Sequence, residues 1–444
     1  MSFVQTLSFL DNDSIPWKSI IIGISIGKFV FENYLKYRQY QVLSNPSPPK
    51  ALKSEITLDV FQKSQDYTKT NFRFQFVNSL RRLISNVISI KYNILHQYWS
   101  ISSDVLLNLS SVLPISISNS LIAQGLVFFG IKKVVDLLIS LPFDYYQTFV
   151  IEEKFGFNKF TLKSWSRDKF LSFIISSIFS SIFTLSLGAI IDHFGDNYVV
   201  YGIAFYAIFI LFIFTISPSL LSPLFYKFTP LEQGKLRDEI EELAAKHGFP
   251  SRDLYVIDGS SKSSHSNAFL TGLPWNKRIV LFDTLINDHS NEEVVAIVAH
   301  EFGHYKYGHT NKLTIFSIAD AALWVYSSSG LIGNESLLKE FGFDGNTPGF
   351  IGYILFEKVF DFFSVIEQLA SNLLVRSFEY TADKHAKDIG YSSSLRSGLI
   401  KLLGLNLMAT DSDWLYSTYF QNHPDLVERL TAIDYVEDKS LKKD

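Results

Sequence analysis

The chain has 444 residues, of which 47% are hydrophobic, 15% aromatic and 19% charged, with a net charge of −4 at pH 7. The length allows two or three domains, the apolar excess is high for a soluble protein, and the acidic balance argues against a nucleic-acid partner. There is no cysteine, which excludes disulfides and thiolate ligands, so a metal site must be built from His and carboxylates.

The first 16 residues carry Asp11 and Asp13 and neither Lys nor Arg, unlike a cleavable signal peptide, so the first apolar stretch reads as a retained anchor. Seven stretches are long and apolar enough to span a bilayer: about 17–36, 86–108, 119–141, 170–192, 199–226, 313–332 and 349–375. The fourth and fifth are the clearest. The third is interrupted by Lys132, Lys133 and Asp136, the second holds Lys91 and His96, and the seventh holds Glu357, Lys358, Asp361 and Glu367. The second and seventh also fit long amphipathic helices of a soluble domain; as spans, their charges must face a bundle interior or a watery cavity. Loop charges support the spanning reading. Segments 1–16, 109–118, 193–198 and 333–348 hold one Lys, Lys339, whereas 37–85, 142–169, 227–312 and 376–444 hold 32 Lys plus Arg. The positive-inside rule then puts the N-terminus outside and the C-terminus in the cytosol. The sequons at Asn12, Asn108 and Asn334 all fall at or in outer segments, and glycosylation of Asn334 would test that topology.

Between spans, Asn45-Pro-Ser-Pro-Pro49 reads as a stiff linker. A soluble segment follows the fifth span: a charged amphipathic helix from Leu231 to His247, ended by Gly248-Phe-Pro250, then strands at Asp253–Asp258 and Arg278–Asp283. The second of these strands is expected to offer an edge to an extended substrate. A second, mostly helical soluble segment covers 376–436, and the closing Lys442-Lys443-Asp444 misses the usual di-lysine retrieval positions.

The chemistry centres on His300-Glu-Phe-Gly-His304. On a helix the two histidines lie one turn apart on one face, where both can meet one tetrahedral zinc, and Glu301 can reach a water there. Ser290-Asn-Glu-Glu293 supplies a capping box for that helix. Alone, the motif also fits two ordinary histidines on an amphipathic helix. The third ligand is sought in Arg376-Ser-Phe-Glu-Tyr-Thr-Ala-Asp383, where Glu379 and Asp383 share a helix face. A solvated acidic face is the other reading of that pair. As a site, Glu379 completes a His2Glu set with an open position, and Asp383 orients a ligand histidine.

These residues, with Leu141-Pro-Phe-Asp-Tyr-Tyr, Phe149 to Lys159, Ser263 to Pro274, Arg278 to Leu285 and His423-Pro-Asp-Leu-Val-Glu-Arg-Leu430, resemble the type I CAAX prenyl proteases, integral-membrane zinc endopeptidases of the endoplasmic reticulum. Phe302, Tyr305 and Phe269 depart mildly from the family's usual residues. The resemblance implies a mainly α polytopic membrane protein of about seven transmembrane helices enclosing a chamber, plus a gluzincin-like zinc protease domain with a small β element. It implies one Zn2+ per chain on His300, His304 and Glu379, and Glu301 as general base. Asn267 and His423 become substrate and oxyanion contacts, supported by Asp383 and Arg429. Without the family, His423 reads as a surface histidine before a proline, and Asn267 as a turn residue. The implied partners are a bilayer and a prenylated protein with a C-terminal CaaX box, cut after the modified Cys. Some members make a second upstream cut.

The expected division is 1–226, a membrane region with five transmembrane helices and a cytosolic loop at 37–85; 227–312, the first part of the protease domain; 313–375, two further spans; and 376–444, the second part and tail. The expected setting is the endoplasmic reticulum membrane, with a lumenal N-terminus and a cytosolic zinc site. Two alternatives stand beside this reading. One is a membrane quality-control metalloprotease of the heat-shock type. The other is a non-catalytic scaffold with structural zinc, which an intact Glu301 disfavours.

Overall fold

The structure is a computed structural model that describes residues 8–109, 120–249, 254–272, 277–343 and 347–433. Pro250, Asp253, Pro274, most of the 109–118 segment and the tail from 434, including Lys442-Lys443-Asp444, lie outside the described residues.

The chain is mainly α and follows the expected order of spans. Helix α1 (Trp17–Val42) is followed by α2 (Leu58–Lys91) and α3 (Ile94–Asn108), then α4 (Leu121–Tyr146), α5 (Leu162–Phe194) and α6 (Tyr198–Ile216). Much of the expected 37–85 loop is therefore helix: α1 runs on to Val42 and α2 starts at Leu58, capped by the Thr57 hydroxyl. Only the stretch around the prolines stays irregular, since proline cannot continue a helix. The second pass is broken at Asn93, whose φ of 53° ends the α2 path and starts α3. By length and composition alone, Leu162–Phe225 is the one helical run among the described residues apolar enough to cross a membrane. Only 6% of its most apolar window is buried within the protein, as expected of a lipid-facing surface.

Most of the charges that interrupt the third and seventh passes, Lys133 and Glu367 apart, have a common explanation. Lys132, Asp136, Glu357, Lys358 and Asp361 all line one polar cavity of about 670 Å³ between the helices. Lys358 donates to Asn86 Oδ1 (3.0 Å), and Lys28 pairs with Asp361 (2.7 Å). Ionisable groups in a bundle are tolerated where they meet one another or water rather than lipid. In the segment expected on the outer side, Asn334 is buried, and its Nδ2, the atom that would carry a glycan, donates to the Leu10 carbonyl (3.0 Å). Its sequon is therefore unsuited to the topology test expected of it.

The soluble part opens with β1 (Phe228–Pro230) and α7 (Lys235–His247), followed by β2 (Leu254–Ile257), β3 (Ala268–Thr271) and β4 (Arg278–Phe282). Helix α7 begins four residues later than expected, at Lys235, and ends on Gly248 in the left-handed conformation (φ 68°). The sheet order is β1-β2-β4-β3, with β2 and β4 parallel and the other pairs antiparallel. This corrects the edge expected at Arg278–Asp283: β4 is paired on both sides, and β3, a strand the Ser- and Asn-rich sequence concealed, takes the edge. Helix α8 (Asn291–Lys306) follows, with the Ser290–Glu293 capping box formed. Val294, Val295, Ile297, Val298 and Phe302 are buried in a core shared with α7 and the sheet.

Helix α9 (His309–Ser328) is the sixth pass. The seventh is α10 (Gly349–Val359), a short 3-10 turn, and α11 (Phe363–Asp388), which runs out of the bundle into the soluble core. Helices α12 (Ser392–Leu405), α13 (Trp414–Phe420) and α14 (Leu426–Ala432) close the fold. Arg38 on α1 grips Asp413 at the start of α13 through two hydrogen bonds (3.0 and 2.8 Å), tying membrane and soluble parts together.

Candidate metal centre

The site forms where α8 crosses α11. At the crossing stands Gly303, where an added Cβ would lie 2.7 Å from the Ala382 Cα. Only glycine allows so close a backbone approach, and it sits between the two histidines of the motif. The result is that His300, His304 and Glu379 offer three ligand atoms within 4.8 Å of one another. His300 Nε2 and His304 Nε2 are 3.1 Å apart, and Glu379 lies 3.4 Å from the first and 3.2 Å from the second. Glu379 Oε2 is buried and accepts no hydrogen bond. A buried carboxylate oxygen left without a donor is costly, and a cation held by the three residues would satisfy it. Two imidazoles and a carboxylate suit a first-row divalent metal.

Each histidine is backed on its other ring nitrogen. His300 Nδ1 lies 2.8 Å from Asp383 Oδ1, and Asp383 is fully buried. Arg429 on α14 donates to both oxygens of Asp383 (Nε 2.8 Å, Nη2 2.6 Å) and stands 3.7 Å from Glu379. His304 Nδ1 lies 2.9 Å from His309 Nδ1, and the His309 ring stacks on Phe378 (4.2 Å, 7°). His309 was not among the sequence candidates. It is brought back to the site because Gly308 takes a left-handed conformation (φ 64°) and breaks the helix there.

Charge at the site follows this wiring. Burial would lower the His300 pKa, but the adjoining carboxylates of Asp383 and Glu379 outweigh that and raise it to about 9. Burial opposes ionisation of Glu379 too, yet the two histidines hold its carboxyl far below the usual range. Burial and the neighbouring His304 push His309 down to about 4, so its ring stays neutral. Glu301 is raised, chiefly by burial. The centre is therefore built to attract positive charge.

The remaining candidates line the same cleft of about 730 Å³. Glu301 Oε2 accepts from the Leu270 N–H of edge strand β3 (3.2 Å). His423 Nε2 lies 3.5 Å from Glu379, and its Nδ1 is 2.7 Å from the Asn422 side-chain amide. Its side chain is 55% exposed, so it can face an incoming group. Arg376 holds the His423 loop, donating to the His423 carbonyl (3.3 Å) and pairing with Glu428 (2.6 Å). Asn267 is exposed at the cleft wall, and its Oδ1 accepts from Ala268 N (2.8 Å). Behind it, two of the stretches singled out in the sequence meet: His265 stacks on Phe157 (4.0 Å) and approaches Glu152 (3.4 Å). All eight candidate residues thus converge, from four separate parts of the chain.

Residues 39–227 match the family described as CAAX prenyl protease N-terminal, five membrane helices, and residues 230–437 match peptidase family M48. The "Probable CAAX prenyl protease 1" of Schizosaccharomyces pombe is 41% identical, covering all of this chain and 93% of its own. CAAX prenyl protease 1 of Saccharomyces cerevisiae is 39% identical, covering 97% and 98%. The crystal structure of S. mikatae Ste24p superposes with a TM-score of 0.89 at 38% identity, covering 95% of this chain and 100% of that one. The match over the membrane region sets aside the heat-shock-type alternative. The chain belongs to the CAAX prenyl protease 1 family, multi-pass membrane metallopeptidases of family M48.

Proposed function

We propose that the protein is a zinc endopeptidase that removes the last three residues of prenylated CaaX proteins. The observation that carries this is the convergence of His300, His304 and Glu379 beside Glu301, which the edge strand β3 reaches through the Leu270 N–H. The three ligands would hold one zinc, which when bound supplies a Lewis acid for the peptide carbonyl and acidifies water. Asp383 keeps the proton of His300 on Nδ1 and leaves Nε2 free to ligate. Arg429 offsets the buried charge of Asp383 and Glu379. Strand β3 pairs with the substrate backbone as an edge. Glu301 then takes the proton of the attacking water and passes it to the leaving amine. His423, with Asn267 at the cleft wall, donates to the oxygen on which negative charge develops.

The loop charges support a lumenal N-terminus and a cytosolic site, and the family supports the endoplasmic reticulum membrane. The division into 1–226, 227–312, 313–375 and 376–444 is retained, with much of 37–85 redrawn as helix. Membranes carrying the protein should release a tripeptide from a farnesylated CaaX peptide, and a chelator should stop this until zinc is restored. Chelator-insensitive release, or full activity of Glu301→Gln, overturns the reading.

A further inference from the structure

A second cavity, of about 560 Å³, lies among α5, α6, α9 and α11. Its walls are mainly aromatic and aliphatic, including Phe183, Phe209, Ile213, Phe214 and Phe316, with Asp320, Glu367 and three serines at the margin of the apolar surface. Two helices fix its place relative to the metal ligands. Leu313, on its wall, stands one turn past His309, which contacts His304. Ser371 and Glu367, also on its wall, precede Glu379 on the same helix by eight and twelve residues, about 12 and 18 Å of helical rise. The cavity thus begins beside the metal centre and runs away from it into the membrane bundle.

The edge strand points the same way. The Thr271 end of β3 pairs with Arg278, whose Nη1 donates to the Pro218 carbonyl (3.2 Å), just beyond Phe214 at the cavity. The Ala268 end opens instead on the leucine-lined part of the metal cleft, with Leu285, Leu399, Leu402 and Leu426. A peptide along β3 therefore has an apolar receptacle at each end, one in the soluble core and one among the spans.

We propose that the cavity among the spans receives the isoprenoid chain of the substrate. This rests on the CaaX reading above, in which the attacked carbonyl belongs to the cysteine whose Sγ carries the lipid. The chain must then start next to the metal ligands, and this largely apolar cavity is reached from them along α9 and α11. Antiparallel pairing places that cysteine toward Thr271 and the aliphatic residues to be released toward Ala268. Burial of the chain away from water favours binding in proportion to its length.

The test uses the full-length protein in proteoliposomes. Ser317→Phe and Ser371→Phe fill the cavity, and Ile315→Phe, on the 68% exposed outer face of α9, serves as the control. The KM advantage of a farnesylated peptide over one with a short thioether should shrink about tenfold in the filled variants. The loss should be larger for a geranylgeranylated peptide, and the control should not change. In the unaltered protein, a CaaX peptide with a photoreactive isoprenoid should label the cavity-lining residues of α5, α6, α9 or α11. If the wild type cleaves but the filled variants keep the full lipid advantage, the cavity is not the site. Label on other helices, or on a phospholipid seated in the cavity, overturns it as well. Failure of the wild type to release a tripeptide in a chelator-sensitive way would instead refute the CaaX reading.

Discussion

The two flanks of the metal centre are built from different materials. On the His300 side the support is ionic: Asp383 holds the ring, and Arg429 grips Asp383 with two hydrogen bonds in full burial. On the His304 side it is neutral: His309 faces the ring nitrogen and is itself clamped flat against Phe378. The charged flank fixes its ligand strongly but leaves a buried ion behind if any member is removed. The stacked flank fixes geometry with little electrostatic debt. Two ligands four residues apart on one helix are thus secured by unequal means.

The largest effect should come from breaking the charged flank at its outer end. Arg429→Met leaves Asp383 and Glu379 buried without their cation, and a broken buried pair costs about 3–5 kcal/mol. Thermal unfolding of the metal-free protein should register the loss. A milder break is Asp383→Asn, expected to weaken zinc binding by about 10–100-fold, the usual result of losing a ligand's orienting carboxylate. Competition with a chromophoric chelator measures this directly. His309→Phe keeps the stack on Phe378 but removes the acceptor for His304 Nδ1–H. It should weaken zinc binding by about tenfold, the low end of that range, and His309→Asn should restore most of it. If His309→Phe costs as much as Asp383→Asn, the contrast between the flanks fails.

The smallest expected effect per step is that of pH. His300, raised to about 9 without metal, carries a proton at neutral pH. That proton stabilises the metal-free fold fully below the ordinary histidine value of about 6.5, and the contribution fades as pH rises through about 9. Zinc must displace the same proton, so affinity should climb over this window by somewhat less than tenfold per unit. Unfolding midpoints and zinc titrations should therefore move in opposite directions between about pH 6.5 and 9. A parallel trend would show that His300 is not the titrating group.

Much of the site was legible because it obeys helical periodicity. His300, Glu301 and His304, and separately Glu379 and Asp383, announce themselves as positions on one helix face. Asn267, His423 and Arg429 could be found only by resemblance, since their roles depend on contacts across the fold. His309 was missed because a left-handed glycine interrupts the periodicity that would have connected it to His304. The edge strand was misassigned for a topological reason. Strand β4 pairs in parallel with β2, and β3 is added outside it, an order that alternation along the chain does not encode. In the membrane part, Glu357, Lys358 and Asp361 of the seventh pass line a polar cavity as expected, Lys91 and His96 of the second do not, and the length of α2 was not foreseen.

Helix α11 has a mechanical consequence. It starts at Phe363, after the 3-10 turn within the seventh pass, and Glu379 stands sixteen residues further on, about 24 Å away. Over that lever a tilt of about 5° moves the carboxylate sideways by about 2 Å, whereas metal–ligand distances tolerate only about 0.2 Å. One end of the rod belongs to the seventh pass and the other carries Glu379, the proposed ligand. The inclination of a membrane span is thereby a dimension of the metal site.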